Sequence, residues 1–327
     1  MKAIVLGAGG FIGNHLAGRL RLEGFYVKGI DLKLPAFGES PCHDFVAGDL
    51  RNAAFCDEHI TSDFDEVYQL AADMGGAGYL FTGENDFAVM HNSALININV
   101  CNLAVERGIK KLFYSSSACI YPKHNQLDPQ NPQCAEHSAY PADPDSEYGW
   151  EKLFSERLYL SAMRNYGLQV RVARFHNVYG PLGVYNNGKE KAPAALCRKV
   201  AEAAPGGTIE IWGSGMQTRS FLYIDDCLDG IRKLMDSNFT GPVNIGSEEK
   251  IALNDFAKLI IDISGKPLSV KNIEGPIGVN GRTSDNAVAL REFGWQPKYG
   301  LREGISKTYD WINRQIRHNE IKLQHSY

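Results

Sequence analysis

Three of the four glycines in the first thirteen residues constrain this chain more than anything else in it. Gly7, Gly10 and Gly13 follow the apolar run Ala3 to Leu6 and open a segment in which Ile12, Leu16 and Leu20 recur every four residues before Gly24. That spacing predicts an amphipathic helix starting near Phe11 and stopped by the glycine. A GxxGxxG set between a strand and a helix permits a tight turn and close backbone approach, while the helix start offers unpaired N–H groups. Gly7, Gly10, Phe11, Ile12 and Gly13 therefore form a candidate cradle for the pyrophosphate of a dinucleotide. A tight turn with no ligand is the plainer alternative.

The first half of the chain keeps this alternation. Tyr26 to Ile30, Glu66 to Leu70, Lys111 to Ser115 and Val170 to Ala173 read as strands between helix-period segments. Parallel βαβ winding follows, which is a Rossmann-type doubly wound sheet. From about His176 the pattern changes to loops rich in Gly, Asn and Pro, including Gly180-Pro181 and Tyr185 to Pro193. Short strands are expected at Thr208 to Trp212, Phe221 to Tyr223 and Pro242 to Ile245. With 327 residues, two lobes sharing a cleft are expected: residues 1–175 for the dinucleotide, with a later contribution from about 217–245, and 176–327 mainly as a smaller, interleaved α/β substrate-binding lobe.

Asp31 ends the second strand, where a carboxylate accepts bonds from ribose hydroxyls and repels a 2′-phosphate, so NAD is favoured over NADP. Lys33 nearby weakens that preference, and Asp31 could equally cap a turn. Asp49 has the placement of an adenine-edge acceptor, or of a structural turn residue.

Composition narrows the partners. A net charge of -4 gives no basic field for nucleic acid or an anionic membrane, so an anion is held by a few local donors. Seven cysteines, an odd number with no CxxC pair, suit reduced thiols in a cytoplasm and no metal site. The apolar start is too short for a signal peptide, and no run approaches a spanning length.

Tyr148 and Lys152 sit at i and i+4 on a helix expected from about Tyr148 to Tyr166, closed by Gly167. A phenol with pKa about 10 is a poor base at neutral pH, but a neighbouring ammonium favours the phenolate. Downstream of a dinucleotide turn, the pair suits proton removal from a sugar hydroxyl as hydride leaves for NAD. Alone, the same spacing describes an exposed helical face.

Oxidation of a sugar hydroxyl achieves nothing unless the ketone is used. The segment Ser115 to Pro122 resembles the Ser-Thr-Asp-Glu-Val-Tyr-Gly segment of the sugar 4,6-dehydratases, with Ser117 in the threonine's place to bond the reacting oxygen. Ala118 and Cys119 replace the acidic pair, which disfavours dehydration. A 4-keto group acidifies the C–H bonds at C3 and C5, and inversion then needs proton carriers on opposite faces. Cys119 can be one and a lysine of depressed pKa the other; a small buried cysteine is the plain reading.

Several segments spread over nearly the whole chain carry a closer resemblance: Ala71 to Gly76, Ser116 to Pro122, Arg174 to Asn177, Glu190 to Pro193, Gln217 to Phe221, Gly281-Arg282 and Ser284 to Asn286. They are similar to the GDP-mannose 3,5-epimerase family of the extended short-chain dehydrogenases. That resemblance implies oxidation and final reduction at C4 by Tyr148 and Lys152, with Cys119 and Lys191 as the acid/base pair for C5 and C3. Lys189 lies in the same loop, and only the Glu-Lys-Ala-Pro match selects Lys191. Asn177, Glu190, Ala192, Lys199, Gln217, Thr218, Arg219 and Arg282 would position a GDP-hexose, the arginines suiting its diphosphate, with Gly75 and Gly76 allowing close passage of the sugar. The resemblance also implies a homodimer through helices beside the cofactor lobe. Ala77-Gly78-Tyr79 and Tyr185 to Lys189 depart from the family's pattern. The rivals are a C4 epimerase, a dehydratase or decarboxylase on another nucleotide sugar, and a non-catalytic NAD-sensing protein.

Overall fold

A computed structural model describes residues 1–324. Its first half is β1 (Lys2–Leu6), α1 (Phe11–Leu22), β2 (Tyr26–Asp31), β3 (Asp44–Ala47), α2 (Ala53–His59), β4 (Glu66–Gln69), α3 (Ala77–Leu80), α4 (Asp86–Glu106), β5 (Leu112–Ser117), α5 (Glu147–Tyr166) and β6 (Val170–Phe175). There follow β7 (Val178–Tyr179), α6 (Ala192–Glu202), β8 (Thr208–Trp212), β9 (Thr218–Ser220), β10 (Leu222–Tyr223), α7 (Ile224–Asp236) and β11 (Val243–Ile245). The chain ends with β12 (Lys250–Ala252), α8 (Leu253–Ser264), β13 (Ser269–Ile273), β14 (Gly281–Arg282), α9 (Ala287–Phe293) and α10 (Leu301–Gln324).

Seven strands form one parallel sheet in the order β11-β6-β5-β4-β1-β2-β3. Strands buried on both faces must be apolar on both, and β1 shows it. Ala3 and Val5 pack with Leu16, Ala17 and Leu20 of α1, whereas Ile4 and Leu6 join Ile96 and Val100 of α4 and Ala162 of α5 on the other face. The order reverses between β1 and β4, which opens a crevice at the carboxyl ends of the strands where ligands of such sheets bind.

Helix α5 starts because the Ser146 hydroxyl accepts the Gly149 N–H, and it stops at Gly167, whose φ of 74° suits a left-handed C-cap. The chain does not pass once from one region to the next. After β6 it builds β7 and α6, then returns through α7, which packs beside α1, to lay β11 against β6. The remaining strands form three small sheets: β10-β7, β12-β9-β14 and β13-β8. Helices α6, α8 and α10 pack together over them. No helix among the described residues is long and apolar enough to cross a membrane.

Candidate active site

The glycine turn fits a pyrophosphate by what it leaves out. A Cβ on Gly13 would lie 2.1 Å from the Gly7 carbonyl oxygen, and one on Gly9 would lie 2.0 Å from the Lys33 oxygen. Gly7 itself has φ +91°, open to glycine at little cost. Gly10 begins α1 with no side-chain cap, so the first-turn N–H groups at Phe11, Ile12 and Gly13 remain available to an anion. The Phe11 ring packs edge-on to His15, and the chain at Gly183 passes close beside it. Asp31 Oδ2 accepts from Gly9 N at 3.0 Å and Oδ1 from Lys33 N at 3.3 Å, so this carboxylate also braces the turn. Burial raises its pKa, against those backbone bonds. A carboxylate has about four lone-pair sites, which leaves room for ribose hydroxyls. Asp49 is engaged differently: Arg51 grips both of its oxygens and holds its carboxyl low.

Across the crevice the end of β5 and the start of α5 meet. Lys152 is buried, donates to the Ser115 carbonyl at 2.8 Å and lies 5.7 Å from the centre of the Tyr148 ring. Burial lowers its pKa and Lys191 adds to that. Tyr148 departs from the sequence expectation. Burial and then the charge of Cys119 push its phenol up, while the bond to Ser117 and the charge of Arg282 pull the other way. The Lys152 ammonium is directed at a carbonyl, so desolvation prevails in the protein alone.

Cys119 follows Ser117 in a tight turn closed by the Ser117 hydroxyl, which accepts the Cys119 N–H at 3.2 Å. A Cβ at Gly149 would sit 2.3 Å from the Cys119 carbonyl oxygen, so the glycine beside Tyr148 lets α5 close on this turn. Beneath it runs a buried network. Glu156 takes Arg174 in a two-pronged ion pair at 2.9 and 2.8 Å, and Arg174 reaches Tyr121, whose hydroxyl donates to Asn244 at 2.7 Å. His176 Nε2 bonds the same Asn244 oxygen at 3.0 Å, and burial pushes its pKa down to about 3.

Arg282 is the surprise. Its three nitrogens go to Gln126 (2.6 Å), the Cys119 sulfur (3.1 Å) and Asp145 (3.0 Å), so it is built into the cysteine's surroundings and not left open toward a diphosphate. Arg219 differs in having no carboxylate partner: it donates to the carbonyls of Thr218, Ile277 and Val279 and, among the described residues, joins no ion pair. Burial, reinforced by Arg282, lowers its pKa to about 10.

Lys191 caps the start of α6, half-buried, with Pro193 in the first turn. Burial pulls its pKa down while charges on Cys119 and Cys227 oppose this, which places its ammonium within electrostatic reach of the cysteine. Lys189 is different. It pairs with Asp73 at 3.3 Å and stands 3.7 Å above the Tyr79 ring; burial lowers its pKa, but those two neighbours leave it raised. A Cβ on Gly76 would lie 2.2 Å from the Glu190 oxygen, and one on Gly75 would meet Tyr79 at 2.8 Å. Gly76 thus serves contact between the two loops and Gly75 makes room for the Tyr79 ring, before any sugar arrives.

Other expected residues already have protein partners. Glu190 pairs with Arg198 at 3.4 Å, Lys199 donates to Glu210 O at 3.0 Å and Thr218 to Pro129 O. Asn177 (φ 40°) donates to Ser220 O at 2.9 Å, and Ala192 is exposed at the first turn of α6. Gln217 donates to Trp212 O at 2.7 Å, yet its buried Oε1 has no partner among the described residues. Sequence reading missed Gly9, Gln126, Asp145 and Gly149. Only Gly9 had a local signal, as the neighbour of a known glycine turn.

Residues 3–246 match the NAD dependent epimerase/dehydratase family. The chain is 42% identical to GDP-mannose 3,5-epimerase of Arabidopsis thaliana over 98% of its own length and 85% of that protein. It is 42% identical to GDP-mannose 3,5-epimerase 1 of Oryza sativa subsp. indica over 97% and 82%. The solved UDP-glucuronic acid 4-epimerase from Bacillus cereus, in complex with UDP-glucuronic acid and NAD, superposes with a TM-score of 0.82 at 26% identity, covering 96% of this chain and 100% of that one.

Proposed function

The chain belongs to the NAD dependent epimerase/dehydratase family and, within it, to the GDP-mannose 3,5-epimerases, and on that premise we propose that it converts GDP-mannose to GDP-L-galactose, with GDP-L-gulose where C5 alone inverts. One observation carries the reading. Cys119 takes a guanidinium on its sulfur, and its charge is felt by Tyr148, by Lys152 and by the half-buried Lys191.

The turn from Gly7 to Gly13 and the Asp31 carboxylate would hold the cofactor, with Asp49 beyond them. Bound NAD in its oxidised form supplies a hydride acceptor for C4 and a positively charged ring. Tyr148 removes the proton from the C4 hydroxyl, Ser117 bonds the same oxygen, and Lys152 fixes the phenol's surroundings from beneath. With C4 a ketone, Cys119 and Lys191 take and give the protons at C5 and then C3, the C–H electron pair moving into the enolate each time. Arg282 balances the charge left on sulfur when the thiol gives up its proton. When C4 takes back the hydride it gave to the nicotinamide, Tyr148 returns its proton to O4. Arg219 meets the diphosphate, while Asn177, Lys199, the open Gln217 oxygen, Thr218, Glu190 to Ala192 and Gly75-Gly76 frame the rest of the nucleotide sugar.

A second copy of the chain completes the molecule as a homodimer. Support comes from α5, where Trp150 and Phe154 stand 40% and 45% exposed one turn apart, with half-buried Leu158 a turn further. Seven free cysteines suit a reducing cytoplasm.

The test is product identity. Supplied separately with GDP-mannose, UDP-glucose and UDP-glucuronic acid, the protein should act on the first, giving GDP-L-galactose of unchanged mass by NMR and mass spectrometry. A product inverted at C4 alone, or one that has lost water or carbon dioxide, defeats the reading.

A further inference from the structure

The segments Ala77-Gly78-Tyr79 and Tyr185 to Lys189 meet each other in the fold. Lys189 Nζ lies 3.3 Å from Asp73 Oδ1 and 3.7 Å above the Tyr79 ring, and the Tyr79 hydroxyl donates to the same Asp73 oxygen at 2.9 Å. Asp73 is fixed from behind: its other oxygen accepts from Asn92 at 2.9 Å, and its N–H donates to Ser93 at 3.0 Å, both on α4. The backbones are tied too, since Gly76 N donates to Lys189 O at 2.9 Å. The other end of the loop is held by Arg198, which donates to Tyr185 O at 2.8 Å.

A lysine placed over an aromatic face and a carboxylate together is directed by both, where a solvated loop lysine is directed by neither. Two residues on stands Lys191, with no ion pair of its own among the described residues. We propose that Lys189 is a positioning residue: with Asp73 and Tyr79 it clasps the loop after β4 to the loop before α6 and sets where the Lys191 ammonium stands above the sugar. This deepens the reading above and rests on Lys191 being one of the two proton carriers.

The clasp governs a partition. An enolate flanked by Cys119 and Lys191 either receives its new proton on the opposite face, which inverts the carbon, or recovers one from the side that lost it, which exchanges hydrogen without inversion. Displacing Lys191 leaves Cys119 to exchange from its own side alone. In D₂O, deuterium then enters uninverted sugar.

The experiment follows exchange and inversion by NMR in D₂O, starting from GDP-mannose and, separately, from GDP-L-galactose, with KM and the melting temperature measured alongside. Lys189→Met should raise the ratio of exchange to inversion by up to about 10²-fold in one direction, from misplacement of a catalytic group on the order of 1 Å. Tyr79→Phe, which keeps the ring and removes its bond to Asp73, should move the ratio the same way by less. Lys189→Arg should restore it. A ratio that stays at the parental value in Lys189→Met, whether or not turnover falls, overturns the clasp, and so does an Arg variant as altered as the Met one. A parent protein that exchanges no hydrogen at C3 or C5 would instead defeat the underlying reading.

Discussion

Replacing Gly76 by alanine tests how tightly the two loops meet. The new Cβ would stand 2.2 Å from the Glu190 carbonyl oxygen, where real Cβ atoms essentially never come within 3.0 Å, so the loop before α6 must retreat by nearly 1 Å. The obstacle is backbone and cannot rotate away. Overpacking of this kind costs about 1–3 kcal/mol. Lys191 follows Glu190 directly, and its Cα would lie 3.5 Å from the same Cβ. A displacement on the order of 1 Å at a catalytic group lowers the rate about 10²-fold. Gly18→Ala is the control, since nothing there lies closer than 3.8 Å and a helical Gly-to-Ala change stabilises by about 0.5–1 kcal/mol. Steady-state kinetics on GDP-mannose, thermal unfolding and the NAD content of each purified variant make the assay. Gly76→Ala should keep its cofactor, melt a few degrees lower and turn over about 10²-fold more slowly. Turnover within twofold of the parent would refute the idea that this contact places Lys191.

Cys119→Ala should reduce turnover by roughly 10²–10⁴ while NAD stays bound, and unchanged turnover would remove the thiol from the chemistry. His176, buried with a pKa near 3 against 6.5 for an ordinary histidine, binds its proton more readily in the unfolded chain. Stability should therefore be full above about pH 6.5 and fall as pH drops toward 3, at up to about 1.4 kcal/mol per pH unit. Denaturant titrations from pH 7 to pH 5 measure that slope, which His176→Gln should flatten. Trp150→Lys with Phe154→Lys should give a monomer by sedimentation velocity; a protein already monomeric before substitution contradicts the dimer.

Most of the scaffold was legible because it rests on local pattern. The strand before Gly7 and the strands at Tyr26, Glu66, Lys111 and Val170 show as short, largely apolar runs, the helix after Gly7 by its four-residue recurrence, and α5 by its glycine stop. The short strands β7, β12 and β14, of two or three residues, carry no periodicity and were not readable. β3, at the sheet edge and only partly buried, offers just Phe45-Val46-Ala47, an apolar run too short to mark a strand by itself. In the site, Tyr148 and Lys152 were visible as a helical pair, whereas the role of Arg282 was not. Its partners Gln126, Asp145 and Cys119 lie 156, 137 and 163 residues away in sequence, and only the fold brings a guanidinium onto that sulfur. The different settings of Lys189 and Lys191 were not legible in sequence either, because only tertiary contacts direct Lys189 at Asp73 and Tyr79.

The central claim is a sugar ketone at C4 whose neighbours give up their hydrogens to the protein. Conversion of GDP-mannose in D₂O, with the product resolved carbon by carbon, tests it most directly. The account predicts solvent deuterium at C5 and C3 of GDP-L-galactose and the original hydrogen retained at C4. Inverted product carrying its original hydrogens at C3 and C5, or deuterium at C4, would contradict it.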